Sequence, residues 1–446
     1  MGELAKFIGQ NSKTVEAIYA HHKRMGDSEP RRGYLGASSI GHECERFLWY
    51  QFRGACVPEF EGRLYRLFET GDLEEIRFVR ELRAIGCEVL EVDPETEQQW
   101  EVHALGGHFS GHADGAAVGI LEAPKTWHVL EFKTHAAKYF AQLLKVAVEA
   151  GFPKHYAQTQ AYMGLMKLTR ALYLARNKNT DDLYSERIRF DSKYFKTLMD
   201  KAERIIRSNK PLERCAGRSD DFRCKFCDAH AICWGDPAEA AVPIPFRNCE
   251  TCCHATPELD GKWKDTDKAL WTCARQTQKR GLTPNERQVG CDGHLLLPGL
   301  VWFADPVDSA DDWIEFENHA DKARWTHGYG EGRWTTEELM RSPGAAVGDR
   351  GVEKIKEAFG GEARRTPLTH RYSPGDAERL WDGKPEDIND ALAKLGLIDV
   401  QQNAANCEEE DAATAAYEYV SPDGEQDICV VIYKADKWAA IWKGKM

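Results

Sequence analysis

The segment WHVLEFK, Trp127 to Lys133, reads as a β-strand that is apolar on both sides. Period-two alternation puts Trp127, Val129, Glu131 and Lys133 on one face and His128, Leu130 and Phe132 on the other. Burying such a strand takes Glu131 and Lys133 inside with it. A buried charged pair is costly unless further partners or a cation compensate it. Asp114 lies 17 residues earlier, in the strand-like stretch HFSGHADGAAVGI, so a hairpin turning near Pro124 can set it beside Glu131. Two carboxylates on neighbouring strands offer hard oxygen ligands to a divalent cation. An adjacent ammonium can orient a water and stabilise charge on a phosphate.

The surrounding pattern defines a mixed α/β domain. A helix is expected over the run ASSIGHECERFLWYQFRG with Ser38 or Ser39 as N-cap, and a second with Leu64, Leu67, Phe68, Leu73, Ile76, Val79 and Leu82 at helical spacing, ending before Gly86. Strands CEVLEV and QWEVHA precede the Asp114 hairpin. Helical sequence from Ala136 to Leu168 breaks at Gly151–Pro153. The strands ALYLAR and LYSERIRF flank an NKNTDD turn, and a helix runs from Ser192 to about Ser208. The expected division is an N-terminal segment 1–35, a main domain 36–235, a proline-rich linker 236–246, a cysteine-rich module 247–300 and an acidic α+β region 301–446. In that last region PEDINDALAKLG reads as a helix and ICVVIYK as a strand.

Charge is distributed unevenly. Of the net −13, −12 comes from residues 241–446, with 25 basic against 37 acidic side chains, whereas residues 151–225 carry 17 basic against 9 acidic. That stretch can meet phosphates although the whole chain is acidic. No apolar run reaches the roughly 18 residues of a membrane span, and the first residues lack a secretory pattern, so a soluble cytoplasmic protein is expected. No G-x-x-x-x-G-K-[ST] loop is present, which sets a nucleotide-driven motor aside.

The 14 cysteines cluster. Cys224, Cys227 and Cys233 form C-x2-C-x5-C and require a fourth ligand, for which Cys215 and Cys44 are candidates; zinc and a [4Fe–4S] cluster both accept four thiolates. Cys249, Cys252, Cys273 and Cys291 suit a zinc ribbon, with His294 as an alternative ligand and a second cluster as an alternative group.

The pattern Asp114…Glu131-x-Lys133 resembles the PD-(D/E)XK nuclease superfamily. LFETGDLEE before it is similar to the first acidic motif of RecB-like members, with Asp72 where histidine is usual, and Gln158…Tyr162 in HYAQTQAYMG is similar to their QxxxY motif. Cys44-Glu45-Arg46 ahead of the core and the cysteine trio behind it match the layout of the iron–sulfur members, which include CRISPR-associated RecB-like and phage-type exonucleases. The resemblance covers about residues 36–235. It implies a restriction-endonuclease-like mixed sheet flanked by helices. Glu75, Asp114, Glu131 and the backbone carbonyl of Phe132 would hold Mg²⁺ or Mn²⁺, and Lys133 would position the attacking water. Gln158 and Tyr162 would fix the DNA strand or Lys133, and Cys44 with the trio would hold a structural [4Fe–4S] cluster. His112, two residues before Asp114, is a further candidate phosphate or water contact.

The expected function is a metal-dependent DNA exonuclease acting on linear single- or double-stranded ends, in recombination, repair or phage DNA processing. A protein partner from recombination or adaptation is a candidate, and the host cytoplasm the place if the chain is phage-encoded. The alternatives are an endonuclease or adaptation-type end-trimming nuclease, and a non-catalytic metal-stapled DNA-binding protein.

Overall fold

In the computed structural model, the described residues are 12–94, 97–235, 240–259, 269–276, 280–319, 322–330, 333–342 and 347, together with four strands beyond residue 361. By contacts the chain separates into two compact units, residues 1–223 with 255–287 and residues 224–254 with 288–446. The expected module 247–300 is therefore shared between them.

The first unit is mixed α/β. In chain order it comprises α1 Lys13–Asp27, β1 Leu35–Gly36, α2 Glu45–Phe52, α3 Gly62–Ala84, β2 Glu88–Leu90, β3 Glu101–Ala104, β4 Phe109–His112, β5 Ala116–Val118 and β6 His128–His135. Then come α4 Ala137–Gly151, α5 Pro153–Leu165, β7 Arg170–Asn177, β8 Leu183–Arg189 and α6 Ser192–Arg207. The main sheet has the order β2-β5-β6-β7-β8. Its β6–β7 pair is parallel, joined over the α4–α5 crossover, and the other pairs are antiparallel. A smaller sheet has the order β1-β4-β3.

The expected alternation of β6 is realised. Leu130 and Phe132 join Phe78, Val79 and Leu82 of α3 in the core, with the Phe78 and Phe132 rings stacked 5.0 Å apart. The opposite face, carrying Glu131 and Lys133, meets α5. Each fully buried large apolar side chain is worth about 1.5–3 kcal/mol, so one face of β6 stabilises what the other must desolvate.

Three local expectations are corrected. The helix expected from Ser38 or Ser39 starts only at Glu45, with Cys44 as N-cap. The Ser39 hydroxyl donates instead to the Gly36 carbonyl at 2.8 Å, and Gly41 packs so tightly on α5 that a Cβ would lie 2.6 Å from Lys154 Cα. The stretch HFSGHADGAAVGI is two strands in two sheets, broken at 113–115. On α3 the buried face is Glu74, Phe78, Val79 and Leu82, while Leu67, Phe68, Leu73 and Ile76 are exposed; hydrophobic spacing marks a stripe but not what covers it.

Residues 255–287 contribute the hairpin β9 Ala255–Pro257 with β10 Trp271–Cys273, and α8 Pro284–Val289 begins within them. Trp271 is fully buried, stacked on Phe52 at 5.6 Å and lying 5.1 Å from the guanidinium of Arg53, itself 2% exposed. His108 Nε2 lies 3.0 Å from the Leu270 carbonyl in the same patch.

The second unit holds the short helix α7 His230–Trp234 and the antiparallel sheet β11 Ala304–Ala310, β12 Trp313–Asn318 and β13 Arg324–Gly328. Helix α9 Thr336–Arg341 follows, closed at its start by a Thr335–Glu338 capping box. A four-stranded antiparallel sheet is made of β14 Glu362–Thr366, β15 Ala413–Val420, β16 Asp427–Tyr433 and β17 Lys437–Lys443. Strand β16 is the expected ICVVIYK strand; the expected helix PEDINDALAKLG lies outside the described residues. Among the described residues no helix is long and apolar enough to cross a membrane.

Candidate active site

Strand β6 carries Glu131 into the interior with no exposed surface, and the Lys133 ammonium pairs with its Oε1. The same ammonium donates to the Phe132 carbonyl at 3.0 Å. Asp114 stands in the turn between β4 and β5, where its Oδ2 accepts the Phe132 N–H at 2.6 Å. Gly115 makes that turn possible. Its φ is +143°, and a Cβ there would sit 2.8 Å from the Leu90 carbonyl. Its own carbonyl accepts the Leu130 N–H at 2.9 Å. The hairpin inferred from the spacing thus places Asp114 and Glu131 side by side.

Helix α3 supplies two adjacent glutamates with different surroundings. Glu74, buried, pairs with Arg176 of β7 and lies 3.5 Å from Arg77, and both arginines also hold Asp181. Glu75 makes none of these pairs. It feels the charges of Asp114 and Lys133 instead. Glu74→Gln is therefore expected to lower stability by about 2 kcal/mol, the scale for losing one charged partner of a buried pair, while leaving catalysis intact. A thermal melt run beside a turnover assay checks it; lost turnover with an unchanged melt would move the catalytic role to Glu74.

The electrostatics are those of a crowded acidic pocket. Burial, and then the charge of Asp114, push the Glu75 carboxyl up to about 7 against the pull of Lys133. Burial likewise raises Glu131 to about 7, opposed by Lys133 and reinforced by Asp114. Asp114 is raised by burial, with Lys133 and the Phe132 N–H offsetting it. Burial disfavours the Lys133 charge, but Glu131, Asp114 and Glu75 outweigh it and hold the ammonium above the usual lysine range.

Glu131 Oε2 is buried and has no hydrogen-bond partner among the described residues. An orphaned anionic oxygen beside two further carboxylates and a backbone carbonyl is a donor set that fits a hard divalent cation. The described residues contain no group of three or more His, Cys, Asp or Glu side chains already converged as ligands. The carboxylates are neighbours by charge, not by shared coordination.

Gln158 and Tyr162, one turn apart on α5, are both buried, and the Gln158 amide donates to the Tyr162 hydroxyl at 3.3 Å. Tyr162 packs on the backbone of Gly111, where a Cβ would lie 3.0 Å from its hydroxyl. Its phenol is held above the usual range by burial and by the charge of Glu131. His112 is exposed at the end of β4, opposite Glu101.

Sequence reading passed over three residues in this layer: His135, His155 and Tyr173. His135 lies two positions after Lys133 on the same strand face and His155 one turn before Gln158, so the periodicities already invoked reach both. Tyr173 is the register neighbour of Glu131 on β7.

The basic stretch is less available than its count implies. Ion pairs occupy Arg176, Lys196, Arg204, Arg207, Arg218 and Arg223. Lys201 is spent on the Ile40 and His42 carbonyls. Lys154, Lys178 and Lys193 make no ion pair among the described residues.

Among the described residues no three cysteine or histidine side chains are grouped as metal ligands. Cys44 caps α2, its Sγ accepting the Phe47 N–H at 3.4 Å, and belongs to the first unit, as does Cys215, whereas Cys224, Cys227 and Cys233 belong to the second. Cys249, Cys252 and Cys291 lie in the second unit and Cys273 in the first. Cys249 and Cys252 are buried, and Cys252 Sγ accepts the Leu295 N–H at 3.4 Å. His294, the alternative ligand, is 1% exposed, with Nδ1 2.9 Å from Thr336 Oγ1 and Nε2 2.9 Å from the Asn248 carbonyl. Burial drives it down to about 3. It is a neutral core histidine with both ring nitrogens engaged.

No family model matches the chain, and no curated protein matches it. Among solved structures, the crystal structure of SSO0001 aligns over 50% of this chain and 96% of its own, at 17% identity and a TM-score of 0.31. LHK-Exo in complex with dAMP aligns over 43% of this chain and 90% of its own, at 14% identity and a TM-score of 0.29. The alkaline exonuclease LHK-Exo from Laribacter hongkongensis gives the same coverage at 13% identity and a TM-score of 0.27. Likeness this loose leaves the function to be argued from the chain's own side chains.

Proposed function

We propose that the chain is a Mg²⁺- or Mn²⁺-dependent deoxyribonuclease of the PD-(D/E)XK, RecB-like type, acting as an exonuclease on DNA ends. One observation carries the reading: Glu131 is wholly buried, with one oxygen on the Lys133 ammonium and the other unpartnered, and Asp114 is hydrogen-bonded to the peptide between them. Such a desolvated anion is a liability in a binding scaffold and an asset in a cation-dependent hydrolase.

Glu75, Asp114, Glu131 and the Phe132 carbonyl would hold the cation, which when bound supplies Lewis-acid stabilisation of charge on the phosphate. Lys133, held charged and about a quarter exposed, orients the water that attacks phosphorus. Gln158 and Tyr162 line the same layer and position the strand. Lys154, Lys178 and Lys193, among the cations of this stretch without an ion pair in the described residues, are proposed to meet the DNA backbone, so binding should weaken with salt.

End-labelled linear DNA, single- and double-stranded, incubated with Mg²⁺ or Mn²⁺ beside a covalently closed circle, tests the proposal. Release of label with the circle intact supports an exonuclease. Cutting of the circle replaces it with the endonuclease reading, and no cleavage of either with any divalent cation overturns it.

For the cysteines the support is spacing. Cys44, Cys224, Cys227 and Cys233 are proposed to hold a [4Fe–4S] cluster, and Cys249, Cys252, Cys273 and Cys291 a zinc ion. Anaerobic protein should be brown, and Cys227→Ser should lose the visible absorption together with solubility. A colourless, folded anaerobic preparation carrying stoichiometric zinc would remove the cluster.

A further inference from the structure

Behind Lys133 lies a hydrogen-bonded group that the proposed chemistry does not use. The Tyr173 hydroxyl, fully buried, lies 3.0 Å from His135 Nε2 and 2.9 Å from His155 Nδ1. The rings are packed as well as bonded: His135 lies 4.6 Å from Phe152, and His155 stacks on Phe152 at 5.3 Å and on Tyr173 at 6.0 Å. One hydroxyl proton cannot serve two acceptors, so at least one imidazole donates to the Tyr173 oxygen. Both rings are neutral at physiological pH. Burial first, and then the charge of Lys133, hold His135 down to about 4 and His155 to about 3.

The three residues come from three elements that must agree for the site to form. His135 ends β6, two residues beyond Lys133. His155 opens α5, one turn before Gln158 and two before Tyr162. Tyr173 is paired in register with Glu131 on β7. A buried hydroxyl bonded to both neighbours fixes their separation more sharply than apolar packing does, because a shift of 1 Å breaks a hydrogen bond but only loosens a contact.

We propose that His135, Tyr173 and His155 form a hydrogen-bonded strut that sets the distance between the Lys133 end of β6 and the Gln158–Tyr162 face of α5. They are positioning residues, not catalytic ones. The inference rests on the nuclease reading of the same site. Its effect falls on turnover, since a misplaced ammonium leaves DNA binding untouched but misdirects the water.

Tyr173→Phe keeps the ring and removes the hub. It should lower kcat about tenfold with KM unchanged and the folded far-ultraviolet spectrum retained, the scale expected for a small misplacement of a catalytic group. His135→Gln and His155→Asn place an amide near Nε2 and Nδ1 respectively and should hold kcat within about twofold of wild type, whereas His135→Leu and His155→Leu should fall with Tyr173→Phe. If folded Tyr173→Phe turns over like wild type, or if the amide and leucine variants lose activity alike, the strut is wrong and the group is only packing. If wild type itself cleaves no DNA with any divalent cation, the nuclease reading fails first, and the strut with it as a device of that reaction.

Discussion

Lys133→Ala and Asp114→Ala are expected to reduce DNA cleavage by at least about a thousandfold while leaving DNA affinity within a few-fold of wild type. Lys133 pairs directly with Glu131, and its charge is maintained by three carboxylates that outweigh the cost of burial. On the proposed mechanism its removal would leave the attacking water without an orienting donor. On the proposed reading Asp114 has two functions: it would offer an oxygen to the cation, and it accepts the N–H of Phe132, the residue whose carbonyl takes the Lys133 ammonium. Either loss should act on turnover, because the lysines proposed to meet the DNA backbone lie elsewhere. Single-turnover cleavage with saturating protein, next to a filter-binding titration, separates the two quantities. Retained turnover in both variants would dismiss the assigned site.

Glu75→Gln should give the opposite pairing of effects from Glu74→Gln: a more stable protein that is inactive. A carboxyl raised to about 7 in the folded chain, against an ordinary 4.5, keeps its proton where the unfolded chain has lost it. The stability this contributes is complete below pH 4.5 and is lost as pH rises through 7. At pH 8, in a chelator, the ionised Glu75 is therefore a burden, and replacing it should raise Tm by about 5 °C. Wild-type protein should recover that stability on addition of Mn²⁺ or Ca²⁺ at pH 8 and respond little at pH 5.5, where protons occupy the same oxygens. The variant should respond weakly at either pH. Wild type alone is a poor probe, since His42, His108, His135, His155, His294 and His327, held low by desolvation, impose a pH trend of the other sign below 6.5. The comparison of variant with wild type removes that background. A Glu75→Gln protein less stable than wild type in chelator at pH 8 would show that Glu75 is a structural ion-pair partner.

What could be read from the chain alone was whatever depends on local periodicity. The faces of β6, the hairpin that returns Asp114 to Glu131, and the one-turn spacing of Gln158 and Tyr162 follow from repeats of two and about four residues. What could not be read depends on partners remote in sequence. Glu74 differs from Glu75 through Arg176, 102 residues away. His294 looks like a ligand by spacing and is a core residue because Thr336 and Asn248 close around it. Ser38 and Ser39 carry the side chains of an N-cap, yet the tight approach of Gly41 to α5 keeps their segment out of the helix. The cysteines show the same limit: spacing marks which thiols belong to a motif, but not which folded unit each thiol joins.

The hairpin that seats Trp271 over Arg53 has a consequence for how the first unit can be obtained. Its sequence is interrupted. A ribosome releasing residue 223 has delivered the whole five-stranded sheet, but not the indole that covers a buried guanidinium and the Phe52 ring. Until residue 273 emerges, that patch faces water, and the nascent sheet is a folding intermediate waiting for a plug. A gene trimmed at residue 235, where the sequence alone invites the cut, would make that intermediate permanent and should yield an aggregation-prone protein; one extending through residue 287 carries its own cover.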